Sequence, residues 1–294
     1  MKDYIKLVII ALVFSFGGTL IKFSRLMVSP EVLSFLRFSI GVVILYILIK
    51  KSSGKVKWHL LNKTIWIGAV GKSLHYMMEN YGVLQGFSYG NIIVWPVQSV
   101  IVVLISVFFF KEKVSKQKGF AMVLCILGVA VISWNGVPLD VFLGKNYYLT
   151  LIFVVSGAGS AIFTCIQKKL VGQMESKEAY LSAFVIASGI TFLPVPAAGS
   201  MTGEFHWSAV ICILILGLIT GVSFLVIADV MKTIPLYMVA IMQSITVIFS
   251  LVWAVVFFQE PFTRYTIGGT VLFIIGLIFI NLRITSKKEE ILAG

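Results

Sequence analysis

Four side chains able to hold or move charge recur on one helical face of an otherwise apolar stretch. Lys72, His75, Tyr76 and Glu79 stand at i, i+3, i+4 and i+7. In the next apolar stretch Asn91, Trp95 and Gln98 follow at i, i+4 and i+7. Charge at membrane depth costs about 2.5–3.5 kcal/mol per residue on insertion scales, so such faces belong in the lining of a polar pocket within a helix bundle. Glu79 and His75, one turn apart, are the candidates for proton coupling, because an imidazole changes charge near neutral pH. Glu79 could equally meet a substrate ammonium, or neutralise Lys72 with no role in transport. Lys72 has two readings of its own: it snorkels toward the nearer membrane surface, or it meets a substrate carboxylate. With a rise of 1.5 Å per residue Lys72 and Glu79 place opposite charges about 10 Å apart, a spacing that suits a zwitterion such as an amino acid. Trp95 with Tyr76 could clasp an apolar or aromatic side chain. Pro96, read as mid-helical, would free the Ile92 carbonyl and kink the chain beside them. Far along the sequence Gln243, Thr246, Ser250 and Trp253 fall at i, i+3, i+7 and i+10, and Gln243 and Trp253 are read as a facing wall.

The elements that must position these residues are apolar runs long enough to cross a bilayer core of about 30 Å. Ten are present, near residues 4–23, 30–49, 63–86, 90–110, 117–135, 147–167, 179–198, 206–230, 235–258 and 265–284. The chain of 294 residues is 59% hydrophobic and 12% charged, with a mean hydropathy of +1.01. A soluble domain cannot bury so much apolar surface, so the fold class is all-α integral membrane with ten transmembrane helices. The net charge of +12 does not point to nucleic acid, because its position explains it. With the N-terminus in the cytoplasm, 18 of the 24 Lys and Arg residues fall in cytoplasmic segments and three in outside loops. Both termini are therefore placed on the cytoplasmic side of the cytoplasmic membrane. Lys2 and Lys6 precede the first run as in a signal peptide, but no small-residue cleavage site follows, and the run is read as a retained helix. Cys125, Cys165 and Cys212 lie far apart in apolar runs and make neither a metal site nor a disulfide framework.

The chain also repeats itself. FFFKEKVSKQKGFAMVLCILGVAVI matches VFFQEPFTRYTIGGTVLFIIGLIFI without gaps, pairing Glu112 with Glu260, Ser115 with Thr263 and Gly128 with Gly276. Two halves, 1–146 and 147–294, with five spans each must have opposite topology, because five is odd; inverted repeats of this kind are typical of secondary transporters. A five-helix repeat, Arg37 in the second span, and a fourth span ending in F-x-E-x-x-[ST] before a Gly-bearing helix resemble the EamA-type branch of the drug/metabolite transporter superfamily. The resemblance runs over both halves and implies ten helices, cytoplasmic termini, a central cavity lined mainly by the first, third and fourth helices of each repeat, and export of amino acids, related metabolites or drugs. The second repeat departs from it with Phe184 in place of Arg37. Lys72, His75 and Glu79 are no part of the general family pattern, which makes them candidates for this member's own specificity.

Other polar positions favour structure over chemistry. Arg37 is expected to pair or to bind helix-end carbonyls, Glu112 and Glu260 to close hairpins, and Asp229 to sit at a solvated helix end or an ion site. Gly119, Gly128, Gly268, Gly269 and Gly276 read as close packing, within the chain or at an oligomer contact. No HExxH or P-loop is present, so neither an enzyme nor an ATP-driven pump is indicated and no cofactor is called for. The reading is a secondary transporter, an exporter of a small metabolite, driven by proton exchange or by facilitated diffusion. A membrane sensor or passive channel is the alternative. Its partners are a small-molecule substrate and the lipid bilayer, not nucleic acid, and it works as a monomer or homodimer.

Overall fold

The computed structural model describes residues 2–53, 55–85, 94–134, 136, 147–198, 204–259 and 263–281. Among these residues the regular structure is helical, with one isolated bridge between Val171 and Met174 besides. In chain order the helices are α1 (Lys2–Ser15), α2 (Gly17–Ser24), α3 (Pro30–Ser53), α4 (Lys63–Gln85), α5 (Val94–Phe108), α6 (Lys116–Trp134), α7 (Tyr147–Leu170), α8 (Ser176–Phe192), α9 (Val195–Ala198), α10 (Trp207–Val230), α11 (Leu236–Gln243), α12 (Thr246–Phe258) and α13 (Arg264–Asn281).

Among the described residues six stretches are long and apolar enough to cross a membrane: Lys2–Ser24, Pro30–Lys51, Leu151–Leu170, Ser176–Ala197, Trp207–Val230 and Leu236–Phe257. Val94–Phe108 and Arg264–Phe279 are shorter apolar helices. α4 does not qualify on hydropathy because Lys72, His75, Glu79 and Asn80 interrupt its apolar sequence. Those residues are buried, whereas its outward side chains, such as Ile67 and Val70, are apolar and exposed. Exposed Leu104, Leu127, Leu214 and Ile278 continue the same inside-out pattern around the bundle, which suits lipid rather than water. The protein is a multi-pass membrane protein.

Apart from Ser176–Ala197, which ends in the short α9 after a break at Leu193–Pro194, two of the apolar stretches are not single helices. The first is interrupted at Phe16, between α1 and α2, and another at Ser244–Ile245, between α11 and α12. α12 packs on the first of these interruptions: Trp253 Nε1 donates to Ser15 Oγ at 2.7 Å and Ser250 Oγ to the Ser15 carbonyl at 3.3 Å.

Helices from before and after residues 137–146 interleave. α4 and α5 pack on α7, α3 on α8 and α10, α1 on α10, α11 and α12, and α6 on α13. The tightest approaches use glycine. A Cβ on Gly128 of α6 would lie 2.7 Å from the Gly269 carbonyl of α13, and one on Gly269 would lie 2.6 Å from the Gly128 carbonyl. The backbones therefore touch, as small residues permit between helices in lipid. Gly128, Gly269 and Gly276 thus pack within the chain, while Gly119 and Gly268 face open space. A buried aromatic layer of Phe163, Tyr180, Phe184 and Phe224 sits between α7, α8 and α10, with neighbouring ring centroids 5.4–6.1 Å apart.

The end of the bundle where α1 begins is tied shut by polar contacts. Lys6 Nζ donates to Asp3 at 2.9 Å and to Asp229 at 3.1 Å, Thr233 Oγ1 donates to Asp3 at 2.9 Å, and Lys168 Nζ donates to the Met231 carbonyl at 2.8 Å. Asp229 is thus an exposed, ion-paired helix end. Glu112 does more than close its hairpin. Besides the Ser106 hydroxyl, its carboxylate accepts from the Leu236 and Tyr237 backbone N–H groups at 2.9 and 3.4 Å, at the start of α11. A carboxylate there meets unsatisfied amides and the positive end of a helix dipole.

Candidate functional site

The polar face of α4 opens onto a central recess of about 520 Å³, mouth included. Its wall takes Phe14 and Gly17 from α1 and α2, Arg37 from α3, Lys72, His75, Tyr76 and Glu79 from α4, and Trp95 and Gln98 from α5. Across from them stand Ser160 and Thr164 of α7, Leu216, Ile219 and Phe224 of α10, and Gln243 of α11. The recess is therefore built from both parts of the chain, and both interrupted helices reach it, through Gly17 and Gln243.

Glu79 is 6% exposed and pairs with Arg37, not Lys72: Arg37 Nη1 lies 3.1 Å from Glu79 Oε2. The same nitrogen donates to Asn80 Oδ1 at 2.9 Å, and Asn80 in turn donates to Ser34 Oγ at 2.8 Å. The guanidinium carbon sits 3.6 Å from the centre of the Tyr76 ring, whose hydroxyl bonds Thr220 at 3.1 Å. A planar fork stacked on an aromatic face and bonded to a carboxylate is the arrangement arginine favours over lysine at buried sites. His75 Nδ1 lies 2.8 Å from Ser156 Oγ, and its Nε2 is 4.0 Å from Glu79 Oε2. His75 and Glu79 thus stand close enough for a proton to pass through one bridging water, but not in direct contact.

Lys72 does not reach for the membrane surface. It is 3% exposed, and its ammonium lies 4.3 Å from the Tyr76 ring centre, 4.4 Å from that of Phe224 and 5.4 Å from that of Phe163. Among the described residues it makes no hydrogen bond or ion pair, so ring quadrupoles are its counterpart in the protein. Phe224 continues into a row of rings, 5.5 Å from Phe14, which is 6.3 Å from Trp95. Gln98 Nε2 donates to Gln243 Oε1 at 3.3 Å, joining α5 to α11 across the recess.

The sequence expectations meet this geometry unevenly. Lys72, His75, Tyr76, Glu79, Trp95, Gln98 and Gln243 converge on the recess. Asn91 lies outside the described residues, as does the Ile92 carbonyl that Pro96 was to free, and Pro96 itself falls in the first turn of described α5. Trp253 does not reach the recess wall. Its indole stacks on Phe16 at 4.4 Å and bonds Ser15. The reason is the interruption after Gln243, which breaks the helical register carrying both residues. Arg37 was missed as a wall residue because its partners lie on another helix. Its burial in an apolar run was the signal, and Phe14 and Phe224 carried none, being apolar residues among apolar neighbours.

One family model, described as the EamA-like transporter family, matches twice, over residues 1–134 and 148–282. A relative from Archaeoglobus fulgidus, described as an uncharacterized transporter, is 27% identical over 186 residues, covering 62% of this chain and 64% of its own length, a little under two-thirds. A solved crystal structure superposes with a TM-score of 0.79 over 96% of this chain and 99% of the other. At 12% identity it is similar in fold alone.

Proposed function

The chain belongs to the EamA-like transporter family, and from that premise we propose that it is a secondary transporter exporting a small amphipathic metabolite, of the amino-acid kind or related to it, by alternating access. Residues 1–146 and 147–294 act as two inverted five-helix repeats, ten spans in all, with both termini in the cytoplasm and the protein in the cytoplasmic membrane. The observation that carries the reading is a recess walled by both repeats, holding Arg37, Lys72, His75 and Glu79, each at least nine-tenths buried. Intramembrane ionisable groups facing a cavity are by default functional, and substrate sites of such carriers lie at the repeat interface. Interruptions in helices at the cavity support it further, since irregular backbone at membrane depth is tolerated where it lines a cavity. The polar ties at the α1 end would open as the repeats rock, giving the recess its second access. The substrate is a small molecule taken from one aqueous side to the other, with the bilayer as the partner and a monomer or homodimer as the working unit.

Counterflow in proteoliposomes tests this. Vesicles loaded with a mixed amino-acid and organic-acid pool should take up labelled solute of one class against its gradient, saturably. Linear, unsaturable flux would indicate a channel, and binding without flux a sensor. The same assay with an imposed pH gradient decides the drive: an accelerated exchange that is lost in His75→Gln assigns coupling to the His75–Glu79 pair.

A further inference from the structure

The charges around the recess do not balance. Arg37 and Lys72 bring two cations and Glu79 one carboxylate, and any protonation of His75 enlarges the excess. The imbalance is also localised. Glu79 is taken by Arg37 at 3.1 Å, and the Arg37 nitrogen that holds it also serves Asn80. Lys72 is left with the faces of Tyr76, Phe224 and Phe163. Because Arg37 and Lys72 lie 3.6 and 4.3 Å from the same ring centre, the two charges are no more than about 8 Å apart. In a dry interior like charges at that distance repel strongly, and an ammonium against rings keeps all three N–H donors unused.

We propose that Lys72 is the anchor for the carboxylate of an organic monoanion whose apolar or aromatic body lies along Phe224, Phe14 and Trp95. The site therefore takes a carboxylate without an accompanying ammonium in preference to a zwitterion, because the one acidic group that could bind an ammonium is already occupied. A single unengaged ammonium suits a monoanion. A phosphate dianion would call for two or more cations without a paired anion, and the charge of Arg37 is already paired with Glu79. This assignment rests on the transporter reading above for its direction and purpose, but not for the binding chemistry.

Three probes separate the possibilities: 3-phenylpropionate, phenylalanine and phenethylamine share a phenyl group on a two-carbon chain, which bears a carboxylate, a carboxylate with an ammonium, and an ammonium respectively. Binding to the purified full-length protein in detergent is read by tryptophan fluorescence and thermal shift, and counterflow is read in proteoliposomes. The expected result is binding of 3-phenylpropionate at least about tenfold tighter than phenylalanine, with phenethylamine weakest. Lys72→Met should erase that order, and Lys72→Arg should restore it in part. A tighter phenylalanine or phenethylamine, an order unchanged in Lys72→Met, or no binding of any probe overturns the assignment. If Lys72→Met does not fold, the wild-type order and that of Lys72→Arg still decide: an ammonium probe preferred by either overturns it. Anion binding without counterflow would retire the transporter reading and leave the anion site standing. Counterflow that favours the ammonium probes would do the reverse.

Discussion

Arg37 and Glu79 are separated by 42 residues in sequence and 3.1 Å in space, and both are buried. Removing one partner of such a pair leaves an uncompensated charge, which costs about 3–5 kcal/mol, whereas replacing both with apolar groups is often neutral or better. Arg37→Met should therefore lower the melting temperature in detergent well below that of wild type, and Arg37→Met combined with Glu79→Leu should recover most of the loss. A double variant no more stable than the single one would mean that the pair is not coupled. The residue scale also shows what a sequence can carry. Lys72, His75, Tyr76 and Glu79 were legible because helical periodicity alone puts them on one face, and charge in an apolar run is conspicuous. Which cation Glu79 prefers was not legible. Lys72, seven residues away on the same helix, looked the natural partner, but the approach of α3 brings a planar guanidinium nearer.

At the scale of elements, the pairing of α6 with α13 depends on backbone contact at Gly128 and Gly269. A side chain at Gly269 would meet the Gly128 carbonyl, the Ile132 amide and the Ile132 side chain, all within 2.9 Å, and overpacking of this kind costs about 1–3 kcal/mol. Gly268, its neighbour, has nothing within 4 Å of where a Cβ would sit. Gly269→Leu should thus reduce the yield and melting temperature of protein extracted from membranes, while Gly268→Leu should leave both near wild type. Equal damage by the two would place the contact elsewhere. The repeat made Gly128 and Gly276 visible as equivalent positions in the sequence, but not that α6 and α13 would meet each other. Helix interruptions were less legible still: Gln243, Thr246 and Ser250 read as a polar face, and with no Pro or Gly beside them Trp253 was projected onto the face of Gln243 along a helix that does not continue.

For the whole molecule, the proposed orientation gives a simple check. In a chain freed of Cys125, Cys165 and Cys212, a cysteine at Lys145 should react with a membrane-impermeant maleimide in intact cells, and one at Lys55 only after permeabilisation. The opposite pattern would invert the topology and with it the assigned direction of export. Six of the ten expected spans were the most legible part of the fold, since hydropathy reports them directly, whereas the polar face of α4 keeps it from qualifying. The interleaving of the two parts was not, because it is settled by contacts made far apart in the chain. Glu112 gives that interleaving a temporal side. Its carboxylate belongs to the first repeat, yet it satisfies the Leu236 and Tyr237 amides, the first of them 124 residues later. During synthesis the acceptor is in place before its donors leave the ribosome, and the amides of the second repeat have no such acceptor when that repeat is made by itself. The second repeat expressed by itself would lack that acceptor, so co-expression of the first repeat, but not of its Glu112→Ala variant, should raise its yield from membranes.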